Sequence, residues 1–517
     1  MEQLPTPKAS QPLVLIGGTL ADGTGSALRS GNLLIAEGQI VCVGEFEIPE
    51  AAAVVDCSGC IVAPGFIDVH SHSDLQVLTG RREKLLQGVT SEVVGNCGFS
   101  PYPQGTHPVQ LRDFANGIFC GDQTWGWVSA SSYLNALHGG ATVASVYSMI
   151  GHGSLRIAVA GNRMDALPES HLQAMEGLLG DAFNQGAIGF STGLMYAPGS
   201  GAPAEELERL CRAVAKHEKI YCTHMRDYGS HLLEAIDEQI ALAMKTGCRL
   251  QISHLQAVGR ANRHLNDSAL ERIEEAHSQG VDVAFDCYPY IAGSTVMTQL
   301  LPQWAMEGGI ESLLRRLSTR EQRDRIEAEM VAGISNSWDE LLVSSVNTAA
   351  NRSVVGKTLE ELASLRKRRA AEVIFDLLLE ERGQVNILEF NQSEENLRRN
   401  LNHPLAIIIS DGFYVKGRPH PRLYGTFPEL LGNLCRDRGW MSAETAIHKI
   451  TGFPAKRFGL SYKGLLSPGC AADITVYDPL KIRSRATYSD PEQSPEGIRY
   501  VIRAGRFLLE PTSLAES

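Results

Sequence analysis

Eight short apolar segments alternate with helical patterns along this chain, and that alternation limits the fold more than any other feature. The segments lie at residues 66–72, 91–96, 145–150, 187–191, 220–224, 250–254, 281–287 and 406–410. Helical stretches such as EELERLCRAVAKHE (205–218) and SHLLEAIDEQIALAMKTG (230–247) separate most of them. Continuous apolar strands joined by amphipathic helices call for a parallel sheet. Eight such units call for a (β/α)8 TIM barrel, with its active site at the C-terminal ends of the strands.

The two ends of the chain read differently. Residues 13–62 and about 464–509 are short strands punctuated by Gly, Asp and Asn, so both termini are expected to build one small β-sandwich domain. The expected limits are 1–63 and 461–517 for its halves and 64–460 for the barrel. Residues from 294 to about 400 are too long for one βα connection. Their runs STREQRDRIEAEM and TLEELASLRKRRAAEVIFDLLLEE suggest an inserted helical subdomain, a candidate lid over the barrel mouth. VVGKTLEE within it imitates a phosphate loop, but Asn351 stands where the earlier glycine must be.

The net charge of −12 without a basic run argues against nucleic acid or an anionic membrane as partner. MEQLPTPKASQP reads as a short flexible lead and not a signal peptide, and no membrane span is expected. Eleven cysteines, thinly spread, fit reduced thiols in a cytoplasmic protein. The CSGC at Cys57 and Cys60 has no second pair and reads as structural.

The chemistry gathers at the strand ends. GFIDVHSHSDL begins at a Pro64-Gly65 turn, and strand alternation puts Asp68, His70 and His72 on one face. Taken alone, the H-x-H is either a ligand pair or two polar residues at a strand end. Cys97 ends the second strand, His224 the fifth, His254 the sixth and Asp411 the eighth. Each has a plain alternative: a buried thiol, a hydrogen-bonded imidazole, a turn-forming aspartate. Together, at the same end of one barrel, they form the kind of cluster that holds metal or catalyses. Arg226 in THMRD is a second cation near the mouth or half of a structural ion pair. His152 in GHGSLR is a candidate supporting group.

The words around these residues resemble the amidohydrolase superfamily, and within it the N-acyl-D-amino-acid deacylases (D-aminoacylases). The resembling motifs include GFIDVHSHSD, GVTSEVVGNCGFSP, GAIGFSTGLMYAPG, THMRDYG, ISHLQAVG, DCYPYIAGST and SDG with RPHPRLYGTFPELLG, and they span most of residues 13–507. The resemblance implies one tightly held zinc on Cys97, His224 and His254, and a second, weaker position at His70, His72 and Asp411. It implies hydrolysis of an N-acyl-D-amino acid, a small-molecule substrate. Asp411 would be base and then acid, and Tyr196 in GLMYAPG an oxyanion donor or a packing residue. Arg422 would grip the substrate carboxylate, with Tyr288 and Ser294 as hydroxyl donors. Two points qualify it. GAIGFSTGLMYAPG has no lysine that could bridge two metals on strand four. Gln256 also stands where the family often has a lysine near the substrate carboxylate. The alternative is a related amidohydrolase acting on another linear or cyclic amide, or a deaminase. A non-catalytic descendant would have lost ligands, and here all six are present.

Overall fold

A computed structural model describes residues 11–120, 125–139 and 142–510. All but the last two residues of the expected N-terminal lead lie outside them.

The eight expected barrel strands form. They are Phe66–Asp68, Val89–Val94, Ser145–Ser148 continued by Ile150–Gly151, Gly189–Gly193, Ile220–His224, Arg249–Ile252, Val283–Cys287 and Ala406–Ile408. Their paired neighbours run parallel, in chain order. The ring closes where the extension of the first strand meets that of the eighth. The Asp411 amide donates to the His70 carbonyl at 2.8 Å and the His72 amide to the Gly412 carbonyl at 3.0 Å. Ile67, Val93, Met149, Cys222 and Ile407 come from five of these strands and form one buried cluster, so the barrel is filled and not a pore.

The helices follow from their sequences. Ala204–Lys216 starts after Pro203 with Glu205 and Glu206 in its first turn, which suits the helix dipole. It buries Leu207, Leu210, Cys211 and Val214, a 3–4 spacing that presents one face to the sheet. Leu232–Thr246 stops at Gly247, whose φ of 72° is cheap only for glycine.

Both termini build one eight-stranded sheet, with Ile474–Tyr477 and Ile498–Arg503 joined to the N-terminal strands through Ile61–Pro64. Most pairs are antiparallel, while Leu13–Leu20 also takes two parallel neighbours. The sheet folds back on itself, with a bridge between Gln39 and Ala471, and encloses a core of its own. Cys57 and Cys60 are not joined in a disulfide and sit buried in a turn. Among the described residues no helix is long and apolar enough to cross a membrane.

The insertion carries the expected helices and, in addition, a sheet. Strands Gly293–Val296 and Leu341–Val346 flank Val385–Glu389 in an antiparallel sheet. Helices Arg320–Gly333 and Ala370–Glu380 share with this sheet a separate core that includes Phe375 and Ile387. The central strand pairs with segments about 45 and 90 residues away, distances over which local pattern carries no signal.

Beneath the mouth, Lys84 and Asp68 form a wholly buried ion pair. Asp68 also accepts from the Ser410 amide at 3.0 Å and the Ser410 hydroxyl at 2.5 Å. Removing one partner leaves the other charge buried and uncompensated, which costs about 3–5 kcal/mol. Lys84→Met is therefore expected to lower the thermal unfolding midpoint sharply in scanning fluorimetry, while exposed Lys456→Met should leave it near the parent value.

Candidate metal centre

Three of the strand-end residues stand on unusual backbone. Cys97, His254 and Asp411 have φ of 51°, 35° and 49°, in the left-handed region that non-glycine residues rarely occupy. Such strain persists where the surrounding structure enforces it, and it concentrates at functional sites. Around Cys97 the enforcing elements are local. Gly95 has φ of 82°, and a side chain there would strike the Met149 carbonyl at 2.2 Å. The Asn96 amide group donates to the Val93 carbonyl at 3.0 Å and turns the chain inward.

The result is two overlapping groups, each able to hold a metal ion. His70, Cys97 and His254 form one, His70, His72 and Asp411 the other, and within each the ligand atoms lie within 4.8 Å of one another. His70 Nε2 stands 3.2 Å from the Cys97 sulfur and 3.3 Å from Asp411 Oδ1, so it faces both. His72 Nε2 is also 3.3 Å from Asp411 Oδ1. His254 Nε2 is 3.6 Å from the Cys97 sulfur. His224 faces the same space, its ring 4.7 Å from that of His254. It lies close enough to Cys97 to favour the thiolate, yet neither ring nitrogen completes a hydrogen bond of normal geometry.

Burial opposes ionisation of the Cys97 thiol, but the charge of His70 and the contacts of His224, His254 and His70 hold it well below the usual thiol range. Burial likewise opposes ionisation of Asp411. The adjacent Arg422, then His70 and the bond from His72, keep it well below the usual carboxylate range. A buried thiolate, a carboxylate and four imidazoles, one of them with both nitrogens uncommitted, fit a divalent cation with nitrogen and sulfur preference.

The cluster opens into a cavity of about 380 Å³ between the barrel mouth and the insertion. Arg422 is 1 % exposed at its wall. Its Nη2 pairs with Asp411 Oδ2 at 3.0 Å and its plane lies 4.5 Å over the Tyr288 ring. Nε and Nη1 are buried without partners. The Tyr288 hydroxyl donates to Gln256 Oε1 at 3.0 Å, and Ser294 lines the same wall. Tyr196 lies against His224 with ring centroids 4.9 Å apart, its hydroxyl 3.2 Å from Thr295 Oγ1. Burial and then the charge of Cys97 push its ionisation up, so it remains a donor.

Other expected residues have structural work. Asp68 lies below the site in the Lys84 pair. Arg226 is bound to Glu238 at 2.8 Å and to the carbonyls of Ser200 and Ala202. His152 is held by Glu206 at 2.8 Å, next to Arg156 in a buried network. Asp286 is a site residue that was not singled out. Its Oδ1 accepts from the His254 amide at 2.6 Å and stands 3.3 Å from His70 Nδ1, so it orients one ligand and fixes the strained turn of another. Its signal was its place in DCYPY, one residue from the end of the seventh strand.

A filled eight-stranded barrel with imidazole, thiolate and carboxylate at its mouth is the architecture of the metal-dependent barrel hydrolases. Residues 53–509 match the model of the amidohydrolase family, and the chain belongs to that family. It is 34% identical to a D-aminoacylase of Alcaligenes xylosoxydans xylosoxydans over 95% of this chain and 93% of that protein. It superposes with a TM-score of 0.84 on an N-acyl-D-glutamate deacylase of Bordetella bronchiseptica solved with zinc and a phosphonate mimic of the tetrahedral intermediate, at 30% identity and 97% coverage of both chains. A solved D-aminoacylase with a binuclear metal centre gives a TM-score of 0.83 at 32% identity, covering 96% of each chain.

Cys97→Ala removes the one thiolate of the cluster. Elemental analysis of purified protein is expected to show most of the tightly held divalent metal lost, whereas Cys57→Ala should retain it.

Proposed function

We propose that this chain hydrolyses the amide bond of N-acyl-D-amino acids, releasing a D-amino acid and a carboxylate. The observation that carries the reading is Arg422. A buried guanidinium with two unpartnered nitrogens faces the cavity that holds the ligand cluster. Free donors in a planar fork suit a carboxylate, the group that every N-acyl amino acid presents one carbon from its amide. The D configuration rests on three relatives, a D-aminoacylase, an N-acyl-D-glutamate deacylase and an N-acyl-D-aspartate deacylase.

Cys97, His224 and His254, with His70, His72 and Asp411 beside them, would hold zinc, which polarises an amide carbonyl and makes water acidic enough to attack near neutrality. The chain's own residues do the rest. Arg422 Nε and Nη1 receive the substrate carboxylate, and Ser294 adds a hydroxyl donor on the same wall, while the Tyr288 ring lies beneath Arg422. Gln256 accepts the Tyr288 hydroxyl proton and so holds that ring in place without adding charge. Tyr196, protonated and rigidly packed, donates to the oxygen that gains negative charge. Asp411, kept ionised by Arg422 and His70, accepts the proton of the attacking water and returns it to the leaving nitrogen. The barrel mouth supplies no lysine at the fourth strand, Gly189–Gly193, which separates this site from amidohydrolases bridged by a modified lysine.

Two substitutions check the roles. Asp411→Asn keeps the shape and removes the basicity, so kcat on an N-acetyl-D-amino acid is expected to fall by about 10²–10⁴-fold with the Cys97-held metal retained. Near-normal turnover with full metal would exclude Asp411 as the base. Arg422→Ala is expected to cost about 2–5 kcal/mol in kcat/KM for substrates with a free carboxylate, and much less for the corresponding amides. Comparing N-acetyl-D- and N-acetyl-L-leucine on the zinc-loaded parent tests the activity itself.

A further inference from the structure

The proposed reaction holds an N-acyl amino acid at two points, its amide at the ligand cluster and its carboxylate at Arg422. The third substituent of the α-carbon is the side chain, and it must lie against what remains of the cavity. Much of that wall comes from the insertion, where Leu300, Met306 and Ile334 stand among polar residues such as Thr298 and Gln299.

Glu389 lies on the same wall. It is the last residue of Val385–Glu389, the central strand of the insertion's sheet, and pairs in register with Gly293, next to Ser294. Among the described residues only Asn391 donates to its carboxylate, at 3.3 Å. The Oδ1 of Asn391 is itself buried without a partner. The Glu389 carboxylate therefore keeps unfilled acceptor capacity. The other charges on the wall are engaged. Arg226 is bound to Glu238, Asp227 accepts from the Gly229 and His231 amides, and Glu329 accepts from the Trp304 indole. Arg422 is the remaining cation, and no lysine is among the cavity-lining residues. Burial pushes the Glu389 carboxyl up to about 7, a cost that a cationic group beside it would offset.

We propose that Glu389 sets the side-chain class of the substrate, selecting a cationic side chain on an aliphatic stem and rejecting an acidic one. This rests on the deacylase reading above. Leu300, Met306 and Ile334 match the stem, and Glu389 matches a donor at its end. An acidic side chain would meet a like charge with no free cation in reach, and such juxtaposition excludes partners more effectively than missing attraction does. The N-acyl-D-glutamate deacylase whose fold this chain shares acts on the charge class that this wall disfavours.

The test measures kcat/KM of the zinc-loaded full chain on N-acetyl-D-lysine, N-acetyl-D-leucine and N-acetyl-D-glutamate. The parent is expected to prefer the lysyl to the glutamyl substrate by about 100-fold. Glu389→Gln should shrink that ratio by tenfold or more, with metal content and unfolding midpoint confirming that the variant is folded. A parent that prefers the glutamyl substrate, or a folded Glu389→Gln with an unchanged ratio, overturns the proposal and leaves the deacylase reading standing. Failure of the parent to cleave any of the three removes that reading and the proposal with it.

Discussion

The site depends on a seam, the line along which the first and eighth strands close the barrel. His70 and His72 are carried by one side and Asp411 by the other, and backbone bonds between His70, His72, Asp411 and Gly412 lock their register. Just below, Asp68 reaches across to Ser410 and is neutralised by Lys84. The Ser410 hydroxyl in turn accepts from the Gly412 amide, so the residues on both sides of Asp411 are held. A short carboxylate pinned in this way can sit in a left-handed conformation and keep one position.

From that seam the electrostatics follow. Bringing a thiol, four imidazoles and a carboxylate out of water is unfavourable for each. The arrangement persists because opposite charges are interleaved. Asp411 lies between His70, His72 and Arg422, and Cys97 between His70 and His254. Arg422 links this cluster to the cavity. One of its nitrogens satisfies the aspartate and two are without partners, so a carboxylate bound there would sit beside Asp411. The insertion completes the enclosure. Its strand Gly293–Val296 carries Ser294 and Thr295 to the mouth, and its central strand carries Glu389.

The strand-end residues were legible in the sequence because a barrel converts position along the chain into position in space. An apolar run that ends in His, Cys or Asp places that side chain at the mouth, whatever the helices between do. Arg226 and His152 obey the same rule and still serve structure. What decides them is a partner, Glu238 or Glu206, on a helix that the local pattern cannot orient toward them. Asp286 was overlooked for the converse reason. Its importance comes from the His254 amide and the His70 ring, which lie 32 and 216 residues away.

The sequence by itself determined the barrel, the joint β-domain of the two termini and the set of side chains at the strand ends. These depend on periodicity and order, which are local. Tertiary structure alone decided that His70 faces both ligand groups and that three ligand-bearing residues take left-handed backbone. It alone decided that Arg422 keeps two nitrogens free, and that a sheet within the insertion delivers Glu389 to the cavity. Each is a relation between segments brought together only by closure of the barrel and docking of the insertion. Such relations are set by packing and register between distant strands, which the pattern of one segment does not encode.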